Sequence, residues 1–274
     1  MNLGISVFDD RLLLVCHYGA DRPPEFGKYI FKRKPDPQSN PGHLWDFVDV
    51  AAGDAYLTAD RLVLSVPASI CYLRRLEIDD SLIKDYPDYL DWLACTMIPG
   101  DLAQYKYEFI SVGENYDGTK LEMIFSAIPI TSLNQLYHSL KINNDPRQII
   151  AIPEQLALIK VLEKSLASDD IPQAGIVNCN SFGAAVVLLK NSKFYQCRFF
   201  PIHQDHADEL AEDIETYLLS LSDSSDPMPL VITGLSDSFK TNWTPLYSVL
   251  PLMHDLEFAA AWGAVEYDYL SGAK

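Results

Sequence analysis

Cations are scarce in this chain: 21 Lys and Arg stand against 38 Asp and Glu in 274 residues, a formal charge of −17. That balance argues against a nucleic-acid backbone or an anionic lipid surface as the main partner, because both repel a polyanion. The local exception, Lys28, Lys32, Arg33 and Lys34 around Phe31, reads first as the solvated end of a strand. Long apolar runs are missing as well. None approaches the ~18–20 residues that span a bilayer, so direct membrane insertion is not expected. The opening MNLGISVFDD has no basic stretch before an apolar one, so no secretory signal is expected. The five cysteines (Cys16, Cys71, Cys95, Cys179, Cys197) form no CxxC pair. An odd, scattered set within apolar runs fits small buried hydrophobes in a reducing cytoplasm rather than a disulfide scaffold.

Catalytic and metal constellations are thin too. His203 and His206, with Asp205 and Asp208, have no second ligand pair at a metal-binding spacing, so they read as a solvated helix start. Ser65, Ser126 and Ser181 sit in no G-x-S-x-G elbow. Glu212 and Glu215 lie on an acidic helix with Asp208 and Asp213 and read as a solvated face. No catalytic residue and no metal are therefore assigned.

What is present is a chain 48% apolar, enough to bury a core. Leu3–Val7 and Leu12–Cys16 flank the polar tip Asp9-Asp10 and read as a hairpin, with a third strand over Lys28–Lys32. Pro35–Gly42 is a loop and His43–Leu57 has helical spacing. Strands follow at Arg61–Pro67 and Ile70–Ile78, then a helix over Ser81–Thr96 capped by Asp79 or Asp80 and stopped at Pro99-Gly100. Tyr105–Val112 and Lys120–Ile128 pair around Asp117-Gly118. A helix over Thr131–Leu140, a strand over Ile149–Ile152 and a helix over Glu154–Ser168 complete the first half. Ser168–Gly175 is the best boundary, and the pattern restarts after it. Strands are expected at Gly175–Cys179, Gly183–Lys190 and Lys193–Phe199, with Asn191-Ser192 as a tight turn. A helix over His206–Leu221, strands at Leu230–Thr233 and Leu246–Leu250, and a helix over Glu257–Leu270 follow. Strand–strand–strand–helix thus occurs twice, an architectural repeat that implies α/β layers in two halves around a cleft.

The ordered segments carry a resemblance. VLSVPASICYLRRLEI followed by a helix and MIPGDLAQYKYEF, then IFSAIPITSLNQLYHSL, IIAIPEQLALIKVL, AGIVNCNSFGAAVVLLKNSKFYQCRFFPI, LVITGLSDSF and EFAAAWGAV, follow one family's order across nearly the whole chain. The chain resembles the actin-like ATPase superfamily. Within it, the match is to PilM-type proteins of type IV pilus machines and the related cytoplasmic domains of type II secretion. The resemblance implies an actin-like (ribonuclease H-like) α/β fold with mixed sheets flanked by helices. Residues 1–170 would form the first lobe, with a small inserted subdomain at about 68–140, and residues 171–274 the second.

In that family two hairpins hold nucleotide phosphates, and a Gly-Gly turn lies against the adenosine. Glycine lets backbone N–H groups approach phosphate, and an aspartate near each hairpin organises Mg²⁺. Here the first hairpin's acid is Ser6 and its tip glycine is Phe8. Asp9 and Asp10 set negative charge where a triphosphate would sit, a repulsion of several kcal/mol at an effective dielectric of ~20. In the second hairpin Asp-Ile-Gly is replaced by Asn178-Cys179-Asn180, with Gly183 retained. The adenosine turn reads Gly234-Leu235. These departures disfavour ATP with Mg²⁺, so the expected cofactor is none. The resemblance implies a cytoplasmic adaptor, peripheral to the inner membrane, that holds a cytoplasmic peptide of a membrane-anchored pilus or secretion partner. Self-association is a further implication. The alternative is a genuine ATP-binding actin-like ATPase or a sugar-kinase-like enzyme. Aromatic residues Tyr72, Tyr86, Tyr89, Trp92, Tyr105, Tyr107 and Phe109 crowd the middle segment. The peptide groove is expected there, on Tyr72, Arg74, Ile98, Pro99, Tyr105 and Tyr107.

Overall fold

A computed structural model describes residues 1–7, 11–18, 22–30, 58–114, 120–140, 148–165, 172–180, 183–202, 207–221, 228–234 and 259–271. The expected loop at Pro35–Gly42, the helix at His43–Leu57, the Asp117-Gly118 turn and the strand at Leu246–Leu250 lie outside these residues. So do Phe8, Asp9, Asp10, Ser181, His203, Asp205, His206 and Leu235.

The chain divides into two compact units, Met1–Ser69 with Tyr137–Lys274, and Ile70–Leu136. The first unit holds two sheets. In one, β1 (Asn2–Val7) pairs antiparallel with β2 (Arg11–His17), which pairs antiparallel with β3 (Glu25–Ile30). On its other side β1 runs parallel to β4 (Arg61–Val66), which runs parallel to β8 (Gln148–Pro153), giving the order β3-β2-β1-β4-β8. The second sheet repeats this scheme. β9 (Gln173–Asn180) is antiparallel to β10 (Gly183–Lys190), β10 is antiparallel to β11 (Lys193–Pro201), and β9 is parallel to β12 (Leu230–Thr233). Its order, β11-β10-β9-β12, matches the first four strands of the other. Strands buried on both faces read as unbroken apolar runs: β10 is buried from Gly183 to Leu189. Asn191 and Ser192 both take positive φ, 51° and 59°, the geometry a two-residue hairpin turn demands.

Two helices of this unit pack closely, α4 (Glu154–Ser165) and α6 (Ala259–Ser271). In α6, Ala259–Glu266 includes no exposed position, as expected of a helix apolar on every side. Small residues permit the approach: a Cβ on Gly263 would stand 2.0 Å from the Ala157 carbonyl oxygen. At the periphery of this contact, Lys164 Nζ lies 2.7 Å from Glu266 Oε1 and over the Trp262 ring. Helix α5 (Ala207–Leu221) covers the second sheet, with Leu210, Ile214, Tyr217 and Leu218 joining Val177, Val186 and Leu188 in one core.

The second unit is a three-stranded antiparallel sheet, order β5-β7-β6, of β5 (Tyr72–Asp79), β6 (Tyr105–Glu114) and β7 (Lys120–Pro129). Its helical segment is α1 (Asp80–Asp85) followed by α2 (Tyr89–Met97), where a single helix over Ser81–Thr96 was expected. The break falls around Pro87, which has no N–H to donate and whose ring opposes a continuing helix. Asp79 caps α1, its carboxylate accepting the Ser81 N–H at 3.0 Å. Ala94, Met97 and Ile98 bury against Phe125 and Ala127 of β7. After β7 comes α3 (Ile130–Ser139), within which the unit boundary falls. No helix among the described residues is long and apolar enough to cross a membrane.

Candidate functional site

The parallel strands of each sheet in the first unit carry buried polar side chains near their C-terminal ends. Ser6 of β1 pairs in register with Ser65 of β4, and Asn178 of β9 pairs with Thr233 of β12. All four are buried, so each polar group must find a partner or carry a desolvation cost. In the second sheet the partners are explicit. Thr233 Oγ1 donates to Asn178 Oδ1 at 2.6 Å, and Asn178 Nδ2 donates to Glu154 Oε1. Glu154 Oε2 accepts the Ala68 N–H at 2.8 Å. One carboxylate, 1% exposed, therefore joins the turn after β4, the start of α4 and the end of β9. Burial pushes its pKa up, although the Ala68 and Asn178 donors pull it down. The Cys179 thiol next to Asn178 is raised as well, by burial first and by Glu154 second. Two nearby-in-sequence groups, Ser65 Oγ and Gln155 Oε1, are buried without a protein partner among the described residues.

Of the residues expected at a nucleotide cleft, the structure brings Asn178 and Gly234 together. Gly234 has φ +70°, and a Cβ there would stand 2.6 Å from Asn178 Oδ1 and 2.3 Å from the Cys179 carbonyl oxygen. Gly183 has φ +149°, and a Cβ would meet the Phe200 carbonyl oxygen at 1.9 Å. Sheet packing alone accounts for this glycine. Asn180 pairs with Gly183 at the end of the hairpin and is partly exposed. Neither Ser6 nor Asn178 offers a metal ion a carboxylate, and both ends of the Asn178 amide are engaged by protein groups. Among the described residues no group of three or more His, Cys, Asp or Glu is placed to hold a metal.

The residues expected at a peptide groove gather in the second unit. Tyr72 and Tyr105 meet edge to face at 5.8 Å, and the Tyr105 hydroxyl donates to the Pro99 carbonyl at 2.9 Å. The Tyr107 hydroxyl donates to Asp91 Oδ1 at 2.6 Å, and its ring lies against Phe109 and Phe125. That acceptor raises the Tyr107 pKa, while burial raises that of Tyr72. Arg74 and Pro99 are exposed, whereas Ile98 is covered by the unit's own core. A partner would therefore meet Arg74, Pro99 and the tyrosine edges, not Ile98.

Sequence reasoning passed over Glu154. An acid in the first turn of a helix normally complements the helix dipole in solvent. The signal that could have found it is its place directly after the strand Gln148–Pro153 and before the apolar run Leu156–Ile159, in a stretch buried without a break from Ile152 to Ile159.

No family model matches the chain, and no curated protein matches it. Solved structures do. One is described as a PilM–PilN type IV pilus biogenesis complex: TM-score 0.69, 16% identity, 97% of this chain and 98% of that chain covered. The cytoplasmic domain of EpsL, an inner-membrane component of the type II secretion system of Vibrio cholerae, matches at TM-score 0.56 and 13% identity, covering 98% and 94%. A Bacteroides thetaiotaomicron protein with an actin-like ATPase fold matches at 0.62 and 8%, covering 96% and 95%.

Proposed function

The fold is the actin-like one, and from it we propose that the chain is a PilM-like adaptor of a type IV pilus or type II secretion assembly. It binds a cytoplasmic peptide of a membrane-anchored partner and works without hydrolysing ATP. Its place is cytoplasmic, at the inner membrane through that partner. Likeness over almost the full length of both chains to a protein found with PilN, and to an inner-membrane secretion component, supports the adaptor role. The observation that carries nucleotide independence is the Asn178 amide. It is held between Glu154 and Thr233 where the resemblance calls for a metal-organising acid. These residues do not suit a magnesium nucleotide. The peptide would lie along the exposed parts of the Tyr72, Arg74, Pro99, Tyr105 and Tyr107 surface, with main-chain bonds giving affinity and alternate side chains specificity.

A second reading, an ATP-binding actin-like ATPase or sugar-kinase-like enzyme, draws on Ser65 Oγ and Gln155 Oε1, which have no partner among the described residues. Thermal unfolding in millimolar Mg·ATP separates the two. The adaptor reading expects no shift; a ligand at 100 times its Kd would add ~2.7 kcal/mol and overturn it. Fluorescence anisotropy with the N-terminal cytoplasmic peptide of a neighbouring-gene single-span protein tests docking. Tyr72→Glu or Tyr107→Glu should weaken binding about tenfold or more. Unchanged affinity would remove the peptide from this surface.

A further inference from the structure

The stretch joining α1 to α2 repeats an acid–aromatic pair at three-residue intervals: Asp85-Tyr86, Asp88-Tyr89, Asp91-Trp92. Tyr86 is the C-cap of α1 and Tyr89 opens α2. A tight turn around Pro87 fixes them, the Tyr89 N–H reaching the Tyr86 carbonyl at 3.0 Å. The Tyr89 and Trp92 rings lie 5.7 Å apart, one helical turn from each other. The inner face of α2 is spent on the core through Leu93, Ala94 and Met97. What remains outside is unusual. Tyr86 is 62% exposed and Trp92 61%, the two most exposed large apolar side chains among the described residues. Asp85 and Asp88 flank them, exposed, and neither carboxylate has a cation partner among the described residues; the Asp88 side chain makes no capping bond either.

We propose that Tyr86, Tyr89 and Trp92, framed by Asp85 and Asp88, form a docking surface for a protein segment in which Arg or Lys alternates with apolar residues. The chemistry selects that occupant. Indole and phenol faces attract a cation, and the two carboxylates add charge complementarity beside them. The apolar side chains of the segment cover ring surface now left in water. A second copy of this chain is disfavoured, since it would bring the same carboxylates against these. This proposal does not depend on the peptide surface proposed above: Tyr86, Tyr89 and Trp92 are not among the residues named there, and its observations are their own exposure and the flanking carboxylates.

The test is fluorescence anisotropy of the full chain with a short labelled peptide alternating Arg and Leu, beside versions with Glu for Arg and Ser for Leu. The Arg–Leu peptide should bind and the other two should not. Trp92→Ser and Tyr86→Ser should each weaken it about tenfold or more. Both side chains are exposed, so the fold should persist, and circular dichroism checks that. Asp85→Asn with Asp88→Asn should weaken binding and flatten its salt dependence. Glu212→Gln with Asp213→Asn removes equal charge from exposed positions on α5 and should change nothing. Failure of the Arg–Leu peptide to bind, equal binding by the Arg–Ser peptide, indifference to Trp92→Ser, or an equal loss in the α5 control would each overturn the proposal.

Discussion

Placing an acid at position 178 probes the centre of the first unit directly. In the native chain the Asn178 amide gives one hydrogen bond to Glu154 and receives one from Thr233. Asn178→Asp keeps the acceptor for Thr233 but replaces the donor with an oxygen facing a buried carboxylate. A lost hydrogen bond to a charged group costs ~1.5–3 kcal/mol. Two charges ~4 Å apart at an effective dielectric of ~20 repel by ~4 kcal/mol. The pair can escape the repulsion by sharing a proton. Holding one at pH 7 on a group whose unfolded pKa is ~3.9 costs about the same, at ~1.4 kcal/mol per pH unit. The variant's folded state then binds more protons than its unfolded state, so its stability falls as pH rises. Urea denaturation should show a modest loss relative to wild type at pH 5, growing by up to ~4 kcal/mol at pH 8. A pH-independent loss would refute the Asn178–Glu154 contact. A variant as stable as wild type that gains a thermal shift with Mg·ATP would go further and show a metal site needing one substitution.

Three further outcomes follow from the same geometry. Burial raises the Glu154 pKa, so the stability it contributes is full below its unfolded value and lost as pH rises through the raised one. Glu154→Gln should therefore gain on wild type by up to ~1.4 kcal/mol per pH unit across that window, and parallel urea titrations that stay level would contradict it. Gly263→Ala drives a methyl to 2.0 Å from the Ala157 carbonyl oxygen. Parting α4 from α6 should cost ~3 kcal/mol in the same assay, and a neutral result would show the helices are not so close. Cys95 is exposed, while Cys16 is buried with its thiol pushed up to about 11. N-ethylmaleimide at pH 7 should modify Cys95 first and leave Cys16 protected until the protein unfolds, as peptide mass mapping would reveal.

Much of the strand framework was readable because unbroken apolar runs such as Arg61–Val66 and Gly183–Lys190 are bounded by turn residues. The Asn191-Ser192 turn was plain for the same reason. The third strand starts at Glu25, three residues before the expected Lys28. Its register is set across the sheet by β2, from Cys16↔Glu25 to Arg11↔Ile30, and its own alternation does not hold that information. Pro87 stood in plain view inside the expected helix over Ser81–Thr96, but the apolar spacing around it outweighed the breaker. At the site, Asn178 stood out because the resemblance implies an acid where this chain has an amide. Its partners, 24 and 55 residues away, are set by sheet order and not by any local pattern. Glu154 stayed hidden because an acid's burial is a tertiary property.

The two sheets share one polar arrangement. Each ends its central strand and its parallel neighbour in a polar pair, Ser6 with Ser65 and Asn178 with Thr233. Glu154 reaches from the turn after the first pair to the amide of the second. A carboxylate in that position needs donors, and it takes them from the backbone and from Asn178. An aspartate at 178 would instead make both groups compete for a cation. The amide thus gives Glu154 a donor where an aspartate would bring a second charge, while Ser65 Oγ and Gln155 Oε1 stay without a partner among the described residues. Tyr86 and Trp92, the most exposed large apolar side chains among the described residues, belong to the second unit, so the docking surface proposed for them and the hydrogen-bonded centre at Asn178 stand on independent observations.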